Sequence, residues 1–407
     1  MYEIGELRRR AEAAAEKPAP FGKDLDLSAY TGQAAECSYV DSLEELEEIG
    51  EEELARAGVE KSGVRRSGSF VQIDGTVVHR KALEKGVEIL STAEALEKYD
   101  WLRDYYWKTV EVDADKYTAA VALQSCEGYF MRALPGSRTI YPLQACLYMR
   151  EPRFVQRVHN IIIAEEGSEL HIITGCASEH EIGAGLHLGV SEFYVKKGAR
   201  VTFTMIHNWA PGMDVRPRTG VLVEEGGLFM SNYVVMEPLN SLQLYPTARL
   251  VGKGATARFH SVLVAQPGSE LDVGSRVILS APGSSAEIIS RAVTRGGYIA
   301  ARGHIRGEVG GVKAHLECRG LILDPRGAIY AVPELEGKAP DVEMSHEAAV
   351  GKIAQEEVEY LMARGLSEED AVSTIVRGFL NVRIEGLPPV LEREIRRMVD
   401  LSERKAL

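Results

Sequence analysis

Long apolar runs are missing from this chain of 407 residues: no stretch of 18 apolar residues occurs, and the N-terminal "MYEIGELRRRAEAAAEK" carries charges where a secretory leader needs an apolar core. These absences lead us to expect a cytoplasmic protein with no membrane partner. No basic block stands out among 47 Lys and Arg residues set against 60 Asp and Glu, a net charge of −13. Phosphate binding rests on clustered cations, so nucleic acid is excluded as the main partner. Cysteine is scarce as well. The five thiols, Cys37, Cys126, Cys146, Cys176 and Cys318, are odd in number, widely spaced and without a C-x-x-C pair, which fits neither a disulfide framework nor a zinc ribbon. The chain also lacks G-x-x-x-x-G-K-[ST], a G-x-G-x-x-G behind a strand, and H-E-x-x-H, so no motif supports ATP, dinucleotide or zincin chemistry.

What is present describes a chain able to bury a large core, with 45% hydrophobic and 26% charged residues. Over 1–114 the pattern predicts helices at 3–16, 42–57 and 91–107, with Ser42/Glu45 and Ser91/Glu94 at capping-box spacing. Between them "GSFVQIDGTVVHR" alternates like a hairpin, giving a mostly helical N-terminal domain with a small β element. From 115 to 340, short Val/Ile/Leu runs are broken by glycine turns at 167, 198, 226, 254, 268, 283, 297, 311 and 327. The intervals are 31, 28, 28, 14, 15, 14, 14 and 16, a unit of 14–16 residues doubled to 28–31. Such a period without helical pattern between turns predicts a β-solenoid, flattened because each coil has two straight sides. An antiparallel sandwich is the alternative, although its strands usually recur at a spacing of roughly 8–12 residues. Helical pattern returns after 335: "AQEEVEYLMARG" stops at Gly365, "SEEDAVSTIVRGF" restarts at Ser367, and "PPVLEREIRRMVDL" follows a Pro pair. Residues 341–407 therefore read as a C-terminal helical domain.

Few residues could carry chemistry. In "GVKAHLECRGLIL", Val312, Ala314, Leu316 and Cys318 alternate onto an apolar face while Lys313, His315, Glu317 and Arg319 point away. Cys318 alone also fits an inert core thiol. His346 has Glu343 and Glu347 at i−3 and i+1, where they could orient the imidazole or raise its pKa, although a structural histidine fits too. Cys176 has His171, His180 and His187 nearby in sequence, a set that would suit a soft metal if it converged. "HNW" at 207–209 holds one of the three tryptophans, beside an "APG" turn.

Four segments carry a resemblance that covers roughly residues 90–407: "YFMRALPGSRTIYPLQACLYMR", "IIIAEEGSELHIITGCAS", "HNWAPG" and, most specific, "SHEAAVGKIAQEEVEYLMARGLSEEDAVSTIVRGF". The chain resembles the SufB/SufD family of iron–sulfur cluster assembly proteins, in particular archaeal members that stand between SufB and SufD. The resemblance implies a flattened right-handed parallel β-helix between helical end domains, acting as a scaffold for nascent clusters rather than as an enzyme. It implies a SufC-type ABC ATPase bound through the C-terminal helices, a homodimer or a SufB/SufD-like partner, and a sulfur donor such as a cysteine desulfurase. Cys318 matches the acceptor cysteine on one of the last strands, His346 the interface histidine, and Glu347 the carboxylate after it; these would hold the transient iron–sulfur cluster. Cys176 matches the sulfur entry cysteine, with Trp209 and Arg150 on the sulfur path. His207 replaces a Gln of that path, Pro152 an Asn, and Glu224 or Glu225 a Lys. Participation of a flavin in the complex is left open. The other readings are a SufD-like structural subunit without its own cluster, against which Cys176 and Cys318 speak, and a β-helix carbohydrate-active enzyme, for which a 14-residue unit is unsuited.

Overall fold

The computed structural model describes residues 2–34, 37–59, 61, 65–124, 127–179 and 182–380. They are mainly β, a parallel solenoid of about eight turns with helices at both ends of the chain. One sheet runs, in spatial order, through Thr76–Ala82, Gly68–Ile73, Leu143–Met149, Glu169–Ser178, Arg200–Asn208, Leu228–Val235, Thr256–Ala265, Ser285–Thr294, Val312–Ile322 and Val342–Gly351. The other runs from Val87–Ser91 and Tyr129–Ala133 to Tyr298–Gly307 and Ala328–Gly337. Ser285 pairs with Thr256 on one side and Lys313 on the other, so successive coils there are 29 and 28 residues long, the doubled unit of the glycine spacing. Pairing is antiparallel only between Gly68–Ile73 and Thr76–Ala82, and between Val87–Ser91 and Tyr129–Ala133, among the described strands.

The turns explain the period. Gly167, Gly198, Gly226, Gly254, Gly268, Gly283 and Gly311 have φ between +63° and +83°, backbone that a β-carbon disfavours. Between turns, alternate residues face inward and form one continuous core. Phe203, Phe193, Phe229 and Phe259 stack through it with ring centroids 4.8, 5.1 and 5.7 Å apart. Edge-on ring contacts add roughly 0.5–1.5 kcal/mol each beyond the area they bury.

Four local expectations differ, the first being the helix expected at 91–107, which is a helix Thr92–Lys98 broken at the extended Tyr99 and followed by a 3-10 stretch Asp100–Tyr105. The helix expected at 42–57 is a single turn at Leu43–Glu45 and a short helix Glu51–Arg56 that starts behind Gly50. Lys116–Leu123 is a helix, capped by Asp115 and packed on the N-terminal helix Tyr2–Ala13, where β pattern was expected. At the far end Val342–Gly351 is a strand hydrogen-bonded to Val312–Ile322, so the β structure continues past 340 before the helices Gln355–Met362 and Glu368–Leu380 begin. The reason is backbone pairing: Val342 and Met344 pack on the core while Glu343 between them and Ser345 after them stay outside. The helix expected at 388–401 lies outside the described residues.

Helix Glu368–Leu380 lies on the outer face of the first sheet, with Val372, Val376 and Leu380 against Val234, Val264 and Val293. Near the N-terminus a loop is strapped to the second sheet by one carboxylate. Glu192, fully buried, accepts backbone N–H groups of Trp107 (2.6 Å), Lys108 (2.7 Å) and Thr109 (2.7 Å) and contacts His159 Nε2 at 2.9 Å. Burial works to raise the Glu192 pKa, but His159 and these N–H groups hold it below its ordinary value. Trp107 sits at φ +57°, a strained conformation that the strap maintains.

A methyl group on Gly175 would lie 1.7 Å from the carbonyl oxygen of Ala57, where the N-terminal layer touches the first sheet. A methyl on Gly226 would meet nothing within 4 Å, leaving only its left-handed backbone. We expect Gly175→Ala to cost about 3 kcal/mol or more and Gly226→Ala about 1–2 kcal/mol. Thermal unfolding of the two variants checks that order.

Candidate functional site

At the last coil the ladder decides which side chains meet. Leu316 lies opposite His346, Glu317 opposite Glu347 and Cys318 opposite Ala348. Because side chains alternate along a strand, Cys318 and His346 share the inner face and are diagonal neighbours, their Cα atoms roughly 8 Å apart by ladder spacing. Cys318 is 2% exposed beneath the terminal strand, whereas His346 stands exposed on that strand. Glu343 and Glu347 face outward, where Glu343 pairs with Lys313 at 2.9 Å and Glu347 with Arg319 at 3.5 Å. Odd offsets on a strand fall on opposite faces, so these carboxylates do not orient the imidazole, as a clustered reading of the sequence would have it.

Neither sheet has a further strand beyond Ala328–Gly337 and Val342–Gly351 among the described residues. Inward-facing Leu335 and Val350 are left 40% and 42% exposed at this open end. The thiol of Cys318 is pushed up to about 11, chiefly by burial and then by the charge of Glu317, with Arg291 opposing. It is held as a neutral thiol at physiological pH.

A second group lies deep inside the early coils. Cys176 is opposite His207 in the ladder and fully buried. His207 Nδ1 is 3.0 Å from Tyr233 Oη, and its ring meets the Trp209 indole edge-on at 5.8 Å between centroids. The Trp209 ring is 5.1 Å from that of His187, whose Nδ1 contacts Gln156 Oε1 at 2.8 Å. His187 is held down to about 3 by burial, and His207 well below its ordinary value by burial and then by His187, so both imidazoles are neutral. Burial raises the Cys176 thiol in the same way.

Of the histidines flanking Cys176 in sequence, His187 belongs to this group through Trp209, but His171 does not turn toward the thiol. His171 is an odd number of residues away and sits on the opposite face beside Glu169 at 3.4 Å, while His180 lies outside the described residues. No cluster of three His, Cys, Asp or Glu side chains suited to a metal occurs among the described residues. Arg150 ends the strand Leu143–Met149, with Nη2 3.4 Å from Cys37 Sγ and its backbone N–H donating to Asp74. Glu224 and Glu225 sit in a turn paired with Lys196 and Lys197 at 3.1 and 3.5 Å, outside the coil interior.

A family model described as the SUF system FeS cluster assembly SufBD core domain matches residues 148–379. The chain belongs to the SufBD family of iron–sulfur cluster assembly proteins. It is 51% identical over 400 residues to an iron–sulfur cluster assembly SufBD family protein of Methanothermobacter thermautotrophicus strain Delta H, covering 97% of this chain and 98% of that one. A relative from Archaeoglobus fulgidus is 51% identical over 359 residues (88% and 96% of the two chains), and one from Staphylococcus aureus strain MRSA252 is 31% identical over 343 residues (82% and 73%). Within this SufBD chain, the contact the sequence did not reveal is His207 with Tyr233. They stand 26 residues apart, and only the coil length brings them together.

A thiol whose folded-state pKa exceeds its unfolded value adds stability that is complete below the unfolded pKa and vanishes as pH rises to the folded one. For Cys318 that window runs from 9.0 to about 11. We expect Cys318→Ala to remove up to about 3 kcal/mol of the alkaline stability loss in this range, measured by denaturant unfolding against pH.

Proposed function

We propose that this SufBD chain is a scaffold on which nascent iron–sulfur clusters are built as cargo and passed on, with the open end of the solenoid as the assembly site. The observation that carries this reading is the placement of Cys318 and His346 on one inner face at the end where both sheets stop. Thiolate and imidazole bind iron, thiolate sulfur also accepts persulfide sulfur, and a carboxylate is a labile oxygen ligand suited to later release. Cys318 would be the thiolate ligand, iron displacing its proton, and His346 the imidazole ligand. Glu347, on the outer face of the same strand, would serve from the rim as oxygen ligand or proton acceptor. One chain offers too few ligands on that face for a cluster. A second copy or a similar subunit laid against the open end would supply the rest and cover Leu335 and Val350.

The remaining parts extend this reading. The helices Gln355–Met362 and Glu368–Leu380 would dock a SufC-type ATPase that supplies ATP hydrolysis; Tyr360, Met362 and Leu366 are exposed there. Cys176 would receive sulfur from a cysteine desulfurase or another donor, with Trp209 beside it on the path. Arg150, at the Cys37 side of the strand end, would act at the path's outer approach.

Anaerobic reconstitution with ferrous iron and sulfide tests the assignment through visible absorption and iron and sulfide counts; the same spectrum reports any flavin carried by the complex. Cys318→Ala should fold as the parent does and hold no cluster, His346→Ala should release cluster faster, and Cys37→Ala should match the parent. A Cys318→Ala protein holding as much iron and sulfide as the parent overturns the site. Deleting 354–407 should abolish co-purification with the ATPase, and undiminished capture places that surface elsewhere.

A further inference from the structure

Four charges on the outer face of the first sheet form a zigzag that ends at Glu347. Arg291 lies opposite Arg319 in the ladder and Glu317 opposite Glu347, so like charges face each other along the rows. Opposite charges meet between the rows: Arg291 Nη1 is 2.5 Å from Glu317 Oε1, Arg319 Nε is 2.8 Å from the same oxygen, and Arg319 Nη2 is 3.5 Å from Glu347 Oε2. Side-chain exposure climbs along this chain from 14% and 12% at Arg291 and Glu317 to 48% and 62% at Arg319 and Glu347. The inner pair is therefore a fixed base and the outer pair a loose arm. An exposed ion pair favours its closed state by no more than about fivefold. The Glu317 carboxylate directly opposite works against Glu347 staying on the sheet, since like charges facing across a ladder repel. The Arg319 guanidinium, within reach of both carboxylates, offsets that repulsion.

We infer that Arg319 is a positioning residue for Glu347, holding its carboxylate on the outer face and competing for it with the iron of a cluster at the open end. The inference rests on Cys318 and His346 holding the cluster there, and it adds what makes the oxygen ligand exchangeable. Because the pair with Arg319 is weak, iron at the rim takes the carboxylate. Because the pair exists, the carboxylate has a cation to return to when the cargo leaves. A carboxylate bound to iron under such competition is released more readily than one with no second partner, which suits a scaffold that must hand its cargo on. The exchange moves one carboxylate between two cations and transfers neither a proton nor an electron.

The test has one arm with cluster and one without. The full chain, reconstituted anaerobically with ferrous iron and sulfide, is mixed with an iron chelator, and the decay of visible absorption gives the release rate. Arg319→Gln should slow release about two- to fivefold, the factor that an exposed ion pair supplies. Arg319→Lys, which keeps the charge, should stay near the parent, and in a Glu347→Gln background the Arg319→Gln change should have no effect. In the cluster-free chain, Glu347→Gln should leave the thermal midpoint of the parent nearly unchanged but raise it in the Arg319→Gln background, where Glu347 otherwise faces Glu317 without the guanidinium. Equal release from Arg319→Gln and the parent, an Arg319→Gln effect that persists in the Glu347→Gln background, or additive midpoints in the cluster-free cycle overturns the inference and leaves the Cys318 assignment standing. A parent that holds no cluster overturns the assembly site and this inference together.

Discussion

Parallel strands stacked in register from one coil to the next govern everything else in this molecule. Each strand of the stack hydrogen-bonds to a neighbour about one coil away in sequence, and Ser285, held between Thr256 and Lys313, typifies the arrangement. With no offset between coils, a side chain that faces inward has inward-facing neighbours above and below. The interior is therefore a set of columns. Apolar columns are ordinary core, but a column holding Tyr233, Ser261, Ser290 and Cys318 places polar atoms in an enclosed line.

The same rule separates the two thiols of interest. Cys176 and Cys318 are both inside, on strands five ladder spacings apart in one sheet, which amounts to about 24 Å. Neither can act on the other directly, and each has its own environment. Cys176 is sealed among neutral imidazoles and an indole, whereas Cys318 is one strand from the end of the stack. Stacking protects a group until the stack stops, and His346 is where it stops.

Much of this architecture was legible in the sequence because left-handed turns need glycine and the coil length repeats them. The alternation of Val312, Ala314, Leu316 and Cys318 against Lys313, His315, Glu317 and Arg319 was equally readable, since strand period is local. Residues 341–351 were harder. Their polar composition suggests a tail, and only pairing with Val312–Ile322 makes them a strand and sends Glu343 and Glu347 to the other side from His346. Helix Lys116–Leu123 has no clear amphipathic pattern because it is buried on most sides between the N-terminal helix and the sheet. The His207–Tyr233 contact depends on coil length to the residue, which no local signal encodes.

The Glu192 strap has a consequence for how such a solenoid can be shortened. The family match begins at residue 148, yet this carboxylate sits beyond that point and finds its backbone donors at 107–109. A chain trimmed to the matched core would retain the negative charge and lose the loop that solvates it. Such a shortened solenoid would exchange three oriented N–H donors for water and keep the His159 contact, so the order of the 107–109 loop and the charge on the second sheet are linked in this chain.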